Sequence, residues 1–351
     1  MAGKRLTNNR ADNGVLTVGL DVGYGYTKAI AGDNATVMFP SVISHSRDIK
    51  FMADEIAGKH PGDQIYDEDG VWFVGDLAFS QSLPAELISL RGRTANEETI
   101  GNVFRTRLAR AALGKLFPGL RNGDTLHIRL ATGLPVDHMR DAAGLKQALI
   151  GQHVIQTDQT HFVANITEVM VMPQPYGTIY SRMLKTNGEL DPCHTAIRTG
   201  VVDIGRYTID VTLDDNGEYI EPESGSSEGG VYMALERIKG AVNGDYRYMP
   251  KDKEAENILR TACIRIDGET INYQDVVNEA VEPVKDAALN LMNAKWGTGR
   301  TVDAIYLSGG GANLVHRAIK SAYKQTVLVD DSQLANARGY RSFAMFKMLS
   351  A

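Results

Sequence analysis

The chain has 351 residues, of which 43% are hydrophobic and 23% charged, with a formal net charge of −6. This balance excludes a disordered chain and predicts a soluble protein long enough for two domains. A net negative charge without a dense basic patch argues against direct binding of nucleic acid, and no apolar run is long enough to span a bilayer.

The N-terminus (1–14) reads as a disordered tail, and its lack of an apolar core like that of a signal peptide predicts a cytoplasmic protein. Apolar/polar alternation predicts a strand over 15–22 and further strands over 27–31 and 36–39, the last two joined by a turn at Gly32-Asp33-Asn34. A strand over 71–74 runs into a turn opened by Gly75 and Asp76. Thr94-Ala-Asn-Glu97 forms a capping box before a helix to about Leu116, which Pro118-Gly119 stops. A strand over 126–132, a helix over 140–149, a strand over 168–172 ending at Pro173 and a helix over 177–184 follow. Asn187-Gly188 and Asp191-Pro192 mark a loop into the second half of the chain.

There, a strand beginning at Val201 meets a turn, and strands over 208–213 and 218–220 are joined by Asp215-Asn216-Gly217. Helices are predicted over 230–241, 252–263 and 273–294. A strand over 304–307 feeds three consecutive glycines and a helix over 313–324. A strand over 327–329 and a helix over 331–349 end the chain. The expected domains are 15–180 together with 326–351, and 181–325.

Two segments answer each other, one in each half. Val18-Gly-Leu-Asp-Val-Gly-Tyr-Gly-Tyr-Thr-Lys28 and Val201-Val-Asp-Ile-Gly-Arg-Tyr-Thr-Ile-Asp210 each run a strand into Asp-x-Gly, a tight turn and a second strand. Glycine lets backbone N–H groups converge on phosphate oxygens, here at Gly23, Tyr24 and Gly25 and again at Gly205. Asp21 and Asp203 suit the waters of a magnesium ion, which favours one or two carboxylates plus phosphate oxygens. Lys28 can reach phosphate as a point charge, and Thr208 can donate its hydroxyl, whereas Asp210 reads as a structural acceptor. A single Asp-x-Gly is commonly only a turn; a matched pair is a stronger signal. Gly309, Gly310 and Gly311 permit close backbone approach to a bound ligand, where a plain strand-to-helix turn would need only one glycine.

The duplicated hairpin resembles the actin-like ATPase superfamily and, within it, the ParM-type bacterial and archaeal actins. Ala131-Thr-Gly-Leu-Pro-Val136 with Val169-Met-Val-Met-Pro-Gln174, Gly225-Ser-Ser-Glu-Gly-Gly-Val231, Ser308-Gly-Gly-Gly-Ala312 and the 333–340 segment resemble further family segments in the same order, so the likeness runs from Val15 nearly to the end. The resemblance implies an α/β, two-domain actin-like (ribonuclease-H-like duplicated) fold with a nucleotide cleft between the domains. It also implies magnesium and ATP (or GTP) as cofactors, with Gly229 in the loop beneath the nucleotide. Gln174, between Pro173 and Pro175, takes the place of the residue that orients the attacking water, with Asp203 assisting; the plainer reading is a polar loop spacer. Arg206 stands where relatives often carry glycine, and is placed with the nucleotide-binding residues although solvent is equally open to it. Lys253, Glu254 and Glu256 lie where relatives border base and ribose, or form a solvated face.

No Gly-x-x-x-x-Gly-Lys-[Ser/Thr] motif occurs, nor a metal-ligand spacing for Cys193, Cys263 or the eight histidines. Three functions remain open. The first is an ATPase that polymerises into a helical homopolymer, as in ParM-like plasmid segregation, with a DNA-binding adaptor as a further partner and no membrane. The second is a small-molecule kinase, for which no acceptor-activating carboxylate is evident. The third is a non-polymerising or membrane-recruited adaptor, which would use the helix bearing Phe343, Met345, Phe346 and Met348 as an amphipathic tail; a docked core helix looks the same in sequence.

Overall fold

The computed structural model describes residues 14–32, 35–51, 53–90, 98–194 and 196–350. The expected tail, all but Gly14, lies outside these residues, as do the 94–97 capping box and two residues of the 32–34 turn. The chain forms two compact units, Met1–His194 with Leu334–Ala351, and Thr195–Gln333. Both changes of unit fall later in the chain than the expected 180/181 and 325/326.

The first unit contains β1 (Val15–Val22), β2 (Tyr26–Ala31), β3 (Ala35–Pro40), β4 (Ile43–His45), α1 (Ala53–Lys59), β5 (Gln64–Asp67) and β6 (Gly70–Val74). These are followed by α2 (Gly75–Gln81), α3 (Glu98–Leu116), β7 (Thr125–Leu134), α4 (Ala142–Leu149), β8 (Gly151–Thr157), β9 (His161–Pro173) and α5 (Gln174–Met183). The second unit opens with β10 (Arg198–Ile204), β11 (Thr208–Asp215), β12 (Glu218–Tyr219), β13 (Gly225–Glu228), α6 (Val231–Tyr246) and α7 (Asp252–Thr261). It continues with β14 (Cys263–Ile266), β15 (Glu269–Asn272), α8 (Gln274–Trp296), β16 (Ala304–Ser308), α9 (Ala312–Ala322) and β17 (Thr326–Leu328). The last helix, α10 (Ala335–Leu349), returns to the first unit.

Among the described residues, the sheet of the first unit runs β3-β2-β1-β7-β9-β8-β5-β6-β4, with β1, β7 and β9 parallel. The last six residues of β1 are all buried, as expected of a central strand with helices on both faces. On one face, Ile128 and Leu130 of β7 join Phe104 and Leu108 of α3. On the other, Ala131 joins Tyr340 and Ala344 of α10, which is thus a docked core helix.

Several elements depart from expectation. The strand expected over 168–172 begins seven residues earlier, and β8 pairs with that first half. Phe162, Ala164 and Ile166 alternate inward, but a bulge at Thr167 shifts the phase so that Val169 is the next to be buried. Gly75 and Asp76 open a helix, not a turn, because buried Asp63 accepts the Leu77 N–H at 3.1 Å from a distant part of the chain.

In the second unit the sheet runs β12-β11-β10-β16-β17, with β13 also on β11, and β10 parallel to β16. Its core joins Val202, Ile204 and Leu307 to Leu235, Val284 and Met292. The helix expected over 252–263 stops at Thr261, where Ala262 turns left-handed (φ 53°) and starts the β14–β15 hairpin. Among the described residues no helix is long and apolar enough to cross a membrane.

Candidate nucleotide-binding site

In the first unit the residues converge on one carboxylate. Asp21 lies at the end of β1, 2% exposed, and faces Lys28 across the β1–β2 pair. Lys28 Nζ donates to Asp21 Oδ2 at 2.9 Å, and Gln174 Nε2 donates to Asp21 Oδ1 at 3.3 Å. One oxygen of the carboxylate therefore meets a cation and the other a neutral amide. Between the strands, the Gly23 N–H donates to the Tyr26 carbonyl at 3.2 Å and closes a turn whose residues, Gly23, Tyr24 and Gly25, are all half-buried. The Ser41 N–H holds the Gly25 carbonyl at 2.9 Å, bracing the far side of that turn. Gln174 is not a loop spacer but the first residue of α5. Pro175 is accommodated because an amide in the first helical turn has no helical acceptor to lose.

In the second unit Asp203 lies at the end of β10, opposite Asp210 on β11 and beside Ser308 on β16. The position that holds Lys28 in the first hairpin thus holds a carboxylate in the second, and Thr208 Oγ1 donates to Asp210 Oδ2 at 2.9 Å. The Gly205 N–H donates to the Thr208 carbonyl at 2.9 Å to close the turn. That turn is clamped by the start of α6: Val231 and Tyr232 N–H donate to the Gly205 and Arg206 carbonyls, and Gly229 N–H to that of Tyr207. The glycine loop packs against the same strand end. Gly309 is left-handed (φ 89°), and a Cβ on it would collide with Asp203 Oδ1 and the Ile204 carbonyl, so only glycine fits. Gly311 N–H donates to the Ile204 carbonyl at 3.0 Å and opens α9, while Gly310 faces Gln333.

Arg206 points to α7. It donates to Asp252 Oδ2 at 2.7 Å, to Glu256, and to the Tyr207 hydroxyl at 3.2 Å. Burial, the largest single influence, would lower its pKa, but Glu256 and Tyr207 together outweigh it and the net shift is upward, keeping the guanidinium charged. Lys239 of α6 also pairs with Asp252, so turn, α6 and α7 share one ionic network.

Three comparisons with known proteins bear on this arrangement. Residues 19–177 match the family described as actin-like proteins, N-terminal domain, and residues 201–321 match the archaeal actin homologue MreB-like C-terminal family. The chain belongs to the actin-like superfamily. An archaeal actin homolog of Thermoplasma acidophilum is 27% identical over 94% of this chain and 99% of its own. The same fold occurs in the crystal structure of an archaeal actin homolog in complex with ADP, with a TM-score of 0.73, 19% identity and coverage of 94% and 99% of the two chains. It also occurs in a 15-stranded ParM filament from Clostridium botulinum, with a TM-score of 0.73, 23% identity and the same coverage.

Within this actin-like fold, each unit assembles its own share of the expected residues. Asp21, Lys28 and Gln174 are brought into contact in the first, and Asp203 and the 309–311 loop in the second. Thr208 is engaged by Asp210, and Arg206 by α7. Reading the sequence missed Tyr340, whose hydroxyl donates to the Gln174 carbonyl at 3.2 Å. It also missed the pairing of Asp252 and Glu256 with Arg206. No local signal marks either, since both depend on helices that arrive from elsewhere in the chain.

Proposed function

We propose that the chain is a nucleotide-dependent, filament-forming ATPase that holds magnesium ATP (or GTP) with Asp21, Lys28, Asp203 and the turns at 23–25, 205–208 and 309–311. The observation that carries this reading is the repeat of one device in both units: a strand ending in aspartate, a glycine-bearing turn and a returning strand. The oxygen donors fit magnesium. Asp21 and Asp203, one at the end of the first strand of each hairpin, supply the one or two carboxylates that magnesium takes beside phosphate oxygens and water. Bound magnesium would neutralise phosphate charge. Lys28 adds a second positive charge, and Gln174 orients a water by hydrogen bonding without acting as a strong base. The ADP complex of the archaeal actin homolog and the ParM filament support nucleotide binding and polymerisation in this chain.

Assembly follows from head-to-tail contacts that do not close into a ring. At net charge −6 the free subunit repels its copies, so polymer forms above a threshold concentration that falls with added salt. We assign the filaments to plasmid or other DNA segregation, the role that the resemblance to ParM-type actins implies, with a DNA-binding adaptor as the link to DNA for a subunit of net charge −6. Pelleting and light scattering should rise on addition of magnesium ATP or GTP, and a non-hydrolysable analogue should preserve the polymer. A protein that binds nucleotide yet stays monomeric across concentration, salt and crowding would refute the filament reading.

A further inference from the structure

We propose that Tyr340 is the positioning residue for Gln174, setting the place of its side chain from the backbone side; this rests on the reading of Gln174 as the water-orienting residue. Tyr340 is fully buried in α10, and its hydroxyl reaches the Gln174 carbonyl from 166 residues away. A carbonyl oxygen has two lone pairs, so it accepts this bond beside its helical one. The side chain of the same residue donates to Asp21. Gln174 is thus held at both ends, by a tyrosine at its backbone and by the site carboxylate at its amide.

The fit of the ring depends on missing side chains. A Cβ on Gly133 would occupy the place of the Tyr340 hydroxyl, and one on Gly177 would come within 2.6 Å of the ring at Cε1. The hydroxyl is not needed to dock the helix. Thr178 Oγ1 donates to Asn336 Oδ1 at 2.9 Å, and Gly177 and Gly339 allow backbone contact between α5 and α10. The bond from Tyr340 instead falls on a residue of α5 whose side chain reaches Asp21. Displacing a catalytic group by about 1 Å is enough to slow a reaction by roughly 100-fold, so a single bond fixing the first residue of α5 has kinetic weight.

The test is phosphate release in a single turnover with saturating magnesium ATP, measured alongside nucleotide affinity and thermal midpoint. Tyr340→Phe keeps the ring and its glycine-lined space, so the fold is retained and only the hydroxyl is lost. We expect it to bind nucleotide like wild type and to release phosphate about 10-fold more slowly. Tyr340→Phe combined with Gln174→Ala should be no slower than Gln174→Ala alone. Thr178→Val, which removes the neighbouring bond between the same helices, should lower the midpoint and leave release unchanged. If Gln174→Ala is slow but Tyr340→Phe releases phosphate at the wild-type rate, or if Thr178→Val slows release as much as Tyr340→Phe, the hydroxyl only packs and the proposal is wrong. If Gln174→Ala itself is as fast as wild type, the reading of Gln174 fails and the proposal falls with it.

Discussion

Gln174 Nε2 stands 3.3 Å from Asp21 Oδ1, although 153 residues separate them in the chain. Asp21 lies at the end of β1 and Gln174 opens the helix after β9, and both strands run parallel to β7 between them. Their carboxyl ends therefore share one edge of the sheet, where open α/β sheets bind their ligands. The second unit repeats this with β10 and β16, whose parallel ends carry Asp203 and Gly309.

Lys28→Ala should cost both stability and affinity. The Asp21 side chain is only 3% exposed, and without its cation it keeps the Gln174 amide as its remaining side-chain hydrogen bond. Breaking a buried pair of this kind costs about 3 kcal/mol, to be read from urea denaturation. Calorimetry with magnesium ATP should show weaker binding in Lys28→Ala and in Asp203→Ala. Unchanged affinity in both variants would remove these residues from the proposed site.

Gln174→Ala should leave nucleotide affinity near wild type while slowing steady-state phosphate release by roughly 10- to 1,000-fold, the usual effect of losing one orienting contact. Its filaments should outlast those of the wild type in a light-scattering decay after nucleotide is exhausted. Decay at the wild-type rate would contradict the role.

Two glycine-to-alanine changes in helices should have opposite signs. A Cβ on Gly339 would run into the Gly177 carbonyl, backbone against backbone, so Gly339→Ala should destabilise by at least about 1–3 kcal/mol. Gly240 in α6 is exposed with nothing within 4 Å of its Cβ position, so Gly240→Ala should stabilise by roughly 0.5–1 kcal/mol. Denaturation midpoints of the two variants decide the matter.

Stability should fall as pH drops below about 6.5, in part through His153. This side chain is 9% exposed, with Nε2 2.8 Å from the Leu149 carbonyl. Burial disfavours its charged form and lowers its pKa from the ordinary 6.5. Between the folded and unfolded pKa values the unfolded chain holds the extra proton, so acidification favours unfolding and the stabilising effect is complete only above 6.5. His153→Gln should show a flatter pH dependence of its midpoint across this window, and an unchanged slope would assign the loss to other groups.

The two Asp-x-Gly hairpins could be read from the sequence because their determinants are local. Alternation and a glycine turn suffice to predict strands over 15–22 and 27–31, which the structure forms as β1 and β2; their register then sets Asp21 opposite Lys28. The glycine loop after β16 and the Asp215-Asn216-Gly217 hairpin were legible for the same reason, with Asn216 and Gly217 both left-handed. Only packing decided the rest. Whether Gln174 was a loop spacer or the first residue of a helix aimed at Asp21 depended on how α5 and α10 meet at Gly177 and Gly339. The destination of Arg206 depended on where α7 came to lie, and the start of α2 on a buried Asp63 that caps it. A residue's spacing along the chain carries information about neighbours within a turn or a hairpin, whereas these contacts, which span 14 to 166 residues, exist only once the sheet and its helices have closed around one another.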